Sequence, residues 1–185
     1  MIITFIILIC LVVGNLTYNF LSGKKLIRDA IHYLALRNKK LMKLDAYWNQ
    51  ATKRSQIIVS FTTIPERIGK IDLTIKSLLY QSELPVQIHL YLPYHSFRDK
   101  KTYEIPAWLK KLSSVSIVRV PEDFGPATKF IPALKSLSED QKILVVDDDN
   151  IYPPNYIKDF NHASGQNQNT ILAASGWKVP KDLVD

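Results

Sequence analysis

Cysteine is nearly absent: Cys10 is the only one in 185 residues, and it sits in the apolar N-terminus. A disulfide framework and a cysteine-based zinc site are both excluded. The four histidines, His32, His89, His95 and His162, lack any HxxxH spacing. They read as surface or hydrogen-bonded side chains rather than metal ligands. Internal repeats and low-complexity stretches are missing. So is charge from the beginning of the chain, where no Asp, Glu, Lys or Arg precedes Lys24.

A basic surplus is also missing from the larger part of the chain. The formal charge is +7, but residues 1–54 hold nine Lys or Arg against two Asp or Glu, whereas residues 55–185 hold fifteen of each. The surplus belongs to the N-terminal arm, so the sequence gives no support for a nucleic-acid groove in the main domain. With 46% apolar and 22% charged residues the chain reads as globular. Its length suits one core of ordinary size with attachments.

The arm has two parts. Ile2 to Val13 is an unbroken apolar run, and residues 14–22 are mild enough to extend it toward the roughly 20 residues that a spanning helix needs. A cleaved signal peptide or a buried core helix would use the same composition. No basic residue precedes the run, which favours an uncleaved single-pass anchor over residues 1–22. Residues 23–54 read as a basic helical stem. Ile27, Ile31 and Leu34 fall at i, i+4 and i+7, Leu41 and Leu44 continue the stripe, and Lys24, Lys25, Arg28, Arg37, Lys39, Lys40 and Lys43 decorate it. Such a helix can be drawn to anionic headgroups, or it can be a solvated spacer; the sequence leaves both open. Positive charge on the C-terminal side of the anchor favours a cytoplasmic main domain, with the Golgi lumen as the alternative. The sequon Asn15-Leu16-Thr17 lies too near the bilayer to decide between them.

From residue 55 onward apolar runs alternate with helical periodicity. Strands are predicted at 57–62, 86–92, 115–120, 142–147 and 170–175. Helices are predicted at 24–50, 69–81, around Trp108 to Leu112, at 127–137 and after Pro153-Pro154. Pro132 inside the helix at 127–137 predicts a late start or a kink. Continuous apolar strand centres alternating with helices imply an α/β fold, a mainly parallel sheet flanked by helices.

The chemistry concentrates at Asp147-Asp148-Asp149, directly after the strand ILVV. Three adjacent carboxylates repel one another unless a cation or proton intervenes. If extended geometry persists, Asp147 and Asp149 point to one side and Asp148 to the other. Two convergent carboxylates suit a hard divalent cation, magnesium or manganese. The C-terminal ends of strands are also where open α/β sheets bind ligands. A solvated acidic turn is the plainer alternative. On the metal reading Asp149→Ala abolishes metal-dependent binding, while Asp148→Ala matters less.

The run ILVVDDDN resembles the strand-plus-DxD signature of GT-A-fold glycosyltransferases. Other pieces follow in the order that resemblance requires. IIVSFTTIPERI resembles the first strand and its nucleotide-binding loop. KSLLYQSELPVQIHLYLP is similar to the helix and second strand. FGPATKFIPAL resembles the loop and helix before the DxD strand, and ASGW a segment after it. The resemblance covers residues 56–178 and is nearest to the family 2-like group, which uses nucleotide-diphospho-sugar donors.

It implies that Asp147 lies near the ribose and the metal, and that Asp149 coordinates the metal bridging the two phosphates. It further implies that Thr62, Thr63 and Arg67 border the nucleotide, and that Lys129 meets a phosphate or an acidic sugar group. Trp177 would stack on a sugar or pack in the core. The implied function is a membrane-anchored glycosyltransferase, or its donor-binding portion, acting on a glycan, lipid or protein acceptor. The sequence departs from the pattern in two places. The second strand ends Tyr91-Leu92-Pro93-Tyr94, where the family has an Asp-Asp that contacts the base. The family's acceptor pocket and catalytic base lie further downstream than Asp182 and Asp185, so the chain reads as the donor-binding half with its catalytic base unassigned. Two rival readings remain. One is an aspartyl-phosphate hydrolase using Asp147 as nucleophile, although that motif normally follows a first strand. The other is a non-catalytic membrane module that binds nucleotide sugar or a partner.

Overall fold

The computed structural model describes residues 2–22, 26–167 and 170–174. Helix α1 covers Ile2–Ser22, and its window Ile3–Phe20 is long and apolar enough to cross a membrane, with 0% of it buried against the rest of the protein.

The basic segment expected as one helix over 24–50 is two: α2 at Leu26–Arg37 and α3 at Leu41–Gln50. Lys40 adopts an extended conformation at the junction, so the chain turns there. The turn lets α3 reach the core, a tertiary gain that helical periodicity cannot register. Trp48 is buried, with Leu41 and Leu44 packed beside it. Its indole N–H donates to the Pro85 carbonyl at 2.9 Å. Asp45, also buried, accepts from the Ser113 and Ser114 backbone N–H groups at 3.1 and 2.8 Å and from the Ser114 hydroxyl at 2.6 Å. These bonds balance the cost of burying a carboxylate. The solvated-spacer reading therefore does not describe α3, which is part of the domain.

Four strands form one parallel sheet: β1 (Ile57–Thr62), β2 (Gln87–Pro93), β3 (Val115–Val120) and β4 (Lys142–Val145), in the order β3-β2-β1-β4. Between them run α4 (Asp72–Leu79), α5 (Ala107–Lys110) and α6 (Ile131–Ser136), and α7 (Tyr156–Gln166) follows β4. The predicted α/β class is what forms. Val59 and Phe61 of β1 join Leu78 of α4, Trp48 of α3 and Ile157 of α7 in the larger core cluster. Tyr91, Val120 and Ala133 of α6 form a smaller cluster. Helices therefore cover both faces, which explains the continuous apolar strands.

Three expectations need correction. The strand expected at 142–147 stops at Val145. Val146 N–H still donates to the Ser60 carbonyl at 3.0 Å, but Asp147 N–H turns to the Tyr152 hydroxyl at 2.7 Å, and residues 148–149 form a turn. The fifth strand expected at 170–175 is absent over 170–174, where Ile171 is 96% exposed. Ser175 lies outside the described residues. Finally, the helices at 69–81 and 127–137 are each split. A 3-10 turn at Ile68–Lys70 precedes α4, and one at Gly125–Lys129 precedes α6. Pro132 sits in the first turn of α6, where its missing N–H costs no hydrogen bond.

The strand order positions the site. From β1 the chain steps outward to β2 and β3, then returns past both to place β4 on the other side of β1. The strand order thus reverses direction between β1 and β4, the switch point at which parallel sheets open a crevice at their C-terminal ends.

Candidate functional site

Four segments meet at that crevice: the loop after β1, the loop after β2 with Ser96, Arg98 and Tyr103, the turn Gly125–Lys129 and the acidic run after β4. They line a cleft of about 420 Å³ that includes Thr62, Thr63, Arg67, Lys129, Asp147 and Asp149. The fold therefore brings all six sequence-predicted site residues together, although Thr62 and Asp149 are far apart in the chain.

Lys129 is placed by its backbone. The Ser60 hydroxyl, on the face of β1 opposite Val59 and Phe61, donates to the Lys129 carbonyl at 2.5 Å. Gly125 has φ of +58°, the left-handed conformation that glycine adopts without steric cost. Asp123 closes the turn by accepting from Gly125 N–H at 2.8 Å. The Lys129 ammonium then contacts the Asp147 carboxylate.

The three aspartates separate sharply. The side chains of Asp147 and Asp149 are 57% and 60% exposed, whereas that of Asp148 is 5% exposed. Asp148 differs from its neighbours in burial, but the run has left extended geometry, so the expected alternation with Asp147 and Asp149 on one side is not what orders it: Asp148 and Asp149 share Arg67, and Asp147 pairs with Lys129. Asp148 is not a bystander. It pairs with Arg67 at 2.9 Å and accepts from the Thr63 hydroxyl at 2.5 Å, while its carbonyl accepts from the Thr74 hydroxyl at 2.8 Å. The expectation that losing Asp148 chiefly relieves repulsion is therefore corrected: its buried charge is matched by named partners. Arg67 also reaches Asp149 at 3.1 Å, so one guanidinium bridges the buried and the exposed carboxylate.

Both threonine hydroxyls are committed to structure. Thr63 holds Asp148, and Thr62 donates to the Tyr91 carbonyl at 2.7 Å, fastening β1 to β2. Two tyrosines that sequence reasoning missed support the same corner. The Tyr103 hydroxyl donates to the Thr63 carbonyl at 2.9 Å, and burial pushes its pKa up to about 12. The Tyr152 hydroxyl accepts from Asp147 N–H and lies 3.2 Å from the Asp147 carbonyl, to which it donates; burial pushes it up to about 12 as well. Both stay protonated donors at neutral pH. The tyrosine three residues after the acidic run was the one available sequence signal for Tyr152.

Charge decides what the cleft can hold. Its lining carries four carboxylates (Asp123, Asp147, Asp148 and Asp149) against three cationic side chains (Arg67, Arg98 and Lys129). A diphosphate would meet a negative surplus, which a divalent cation would reverse. Among the described residues no group of three or more His, Cys, Asp or Glu could hold a metal alone. Two exposed carboxylates nevertheless fit magnesium or manganese, which take one or two carboxylates and complete their shell with phosphate oxygens and water. At the far end of β2, Tyr91, Leu92 and Pro93 are buried and offer no carboxylate to a base. Of the acids in the lining, Asp123 is the one that contacts the loop after β2: its second oxygen accepts from Phe97 N–H at 2.7 Å. Trp177, Asp182 and Asp185 lie outside the described residues. Comparison with family models, with curated proteins and with solved structures gave no match.

Proposed function

We propose that this cleft binds the diphosphate of a nucleotide sugar together with magnesium or manganese. On this reading the chain is a membrane-anchored glycosyltransferase of GT-A type, or its donor-binding part. One observation carries the reading: three separate segments of the resemblance converge on a single cleft at the strand-order switch of a parallel sheet. Asp147 and Asp149 would hold the cation, whose charge would offset the departing diphosphate. Lys129 and Arg67, which pair with those carboxylates, would supply the cationic contacts to phosphate oxygens. Asp148 and Thr63 keep Arg67 within reach. Helix α1 would be the single-pass anchor, with the domain on the cytoplasmic face. The donor is a nucleotide sugar and the acceptor a glycan, lipid or protein.

Calorimetric titration of the full chain with a panel of nucleotide sugars, with and without manganese, tests this. The expected result is binding of at least one donor only when the cation is present, and its loss in Asp149→Ala. Binding that ignores the metal, or survives in Asp149→Ala, would overturn the assignment.

A further inference from the structure

Helix α2 has two working faces, and only one is explained by the domain. His32 and Leu36, one helical turn apart, face inward. Leu36 is fully buried, and His32 Nε2 is 3.0 Å from the Tyr152 carbonyl. The His32 ring also stacks on Tyr80, with centroids 6.3 Å apart. Lys39, just beyond the helix, lies over the Tyr80 ring at 4.3 Å. These contacts fix the rotation of α2 about its axis.

With that rotation fixed, the stripe that the sequence places at i, i+4 and i+7 points outward. Ile27, Ile31 and Leu34 are 57%, 63% and 55% exposed. At about 100° per residue their mean direction lies about half a turn from Leu36, so the stripe is diametrically opposite the docked face. Arg28 and Arg37 fall about a quarter turn to either side of the stripe. An apolar strip edged by arginines on both sides is the arrangement of a helix lying in a bilayer interface, with side chains in the acyl boundary and cationic heads among the phosphates. The helix follows the candidate span α1 in the chain, and the adjoining segment adds Lys40 and Lys43, both exposed.

We infer that α2 lies along an anionic membrane surface, with Ile27, Ile31 and Leu34 in the interface and Arg28 and Arg37 on acidic headgroups. Through His32 and Leu36 the same helix then holds the domain against the bilayer. The inference rests on α1 as the span and not on the chemistry of the cleft.

The test uses the full chain carrying Cys10→Ser, with one cysteine reintroduced for an environment-sensitive fluorophore, reconstituted into vesicles containing brominated lipid. Leu11→Cys reports the span and is quenched whatever the headgroup. Ile31→Cys, at an exposed position that tolerates substitution, reports α2. The expected result is blue-shifted, lipid-quenched emission from Ile31→Cys in phosphatidylserine vesicles and much weaker quenching in neutral phosphatidylcholine. Water-like emission from Ile31→Cys in both vesicles, with Leu11→Cys quenched, would overturn the inference. Equal quenching in both would overturn the assignment to an anionic surface. A signal that vanishes on diluting protein in lipid would assign the stripe to a second copy of the chain instead. An unquenched Leu11→Cys would remove the span, and the inference with it, while leaving the cleft untouched.

Discussion

The Tyr152 hydroxyl grips the backbone of Asp147 at both its N–H and its carbonyl, accepting from the first at 2.7 Å and donating to the second at 3.2 Å. It does so where β4 has ended and the sheet no longer supplies partners. A side chain thus substitutes for a missing strand and fixes where the first cleft carboxylate begins. Tyr152→Phe should leave the fold intact, cost about 0.5–1.5 kcal/mol from the lost hydrogen bonds to a part-buried backbone, and weaken manganese affinity. Urea denaturation and calorimetric metal titration would check the two effects separately. Unchanged affinity alongside the stability loss would reduce Tyr152 to a purely structural role.

Asp148 and Asp149 should separate stability from binding. Asp148→Ala leaves the Thr63 hydroxyl without its acceptor and Arg67 without its buried partner. The expected loss is about 1–3 kcal/mol, with Arg67 partly solvated and so partly compensated. Asp149→Ala removes an exposed pair whose stability contribution is about 0–1 kcal/mol, yet it removes a proposed metal ligand. Thermal melts of both variants, read beside manganese titrations, should show opposite rankings. A common ranking in both assays would contradict this division of labour.

Alkaline pH should loosen the corner around the cleft. Burial holds the Tyr103 and Tyr152 hydroxyls at about 12, whereas an unfolded tyrosine titrates near 10. Both pKa values are raised on folding, so the stability these groups contribute is complete below about pH 10 and is lost as pH rises toward 12. Denaturation midpoints at pH 9, 10 and 11 should fall across that window. The fall should be shallower in Tyr152→Phe, which has one fewer group to titrate.

Truncation should discriminate between α1 and α3. Removing residues 1–23 should release the protein from membranes washed at high salt, which screens the contacts of α2 with acidic headgroups, and leave residues 55–185 folded, because α1 buries nothing against the domain. Removing residues 1–50 takes away Trp48 and Asp45. Loss of a buried tryptophan alone costs about 3–5 kcal/mol, and Ser113 and Ser114 lose their acceptor. Membrane fractionation of the first truncation and circular dichroism melts of both would check this. Equal stability of the two would mean that α3 is dispensable.

The sequence by itself determined the alternation of strands and helices and the place of the acidic run in it. Four of its predicted strands form, because short apolar runs rich in β-branched residues, such as Ile57 to Phe61 and Ile143 to Val145, bounded by polar or turn residues, suit a strand in a covered sheet. The acidic run could be placed at the end of the last of them, and Thr62, Thr63, Arg67 and Lys129 in the loops beside it, from local order alone. What only the tertiary structure decided is which of these meet, and how. Periodicity reports that a residue is covered but not by what. Thr63 holds Asp148 from 85 residues away, and Asp45 caps a backbone turn 69 residues away. For the same reason the stripe on α2 could be seen in the sequence but not its direction. Leu36 and His32 had first to find Tyr152 and Tyr80, and that docking turned Ile27, Ile31 and Leu34 outward.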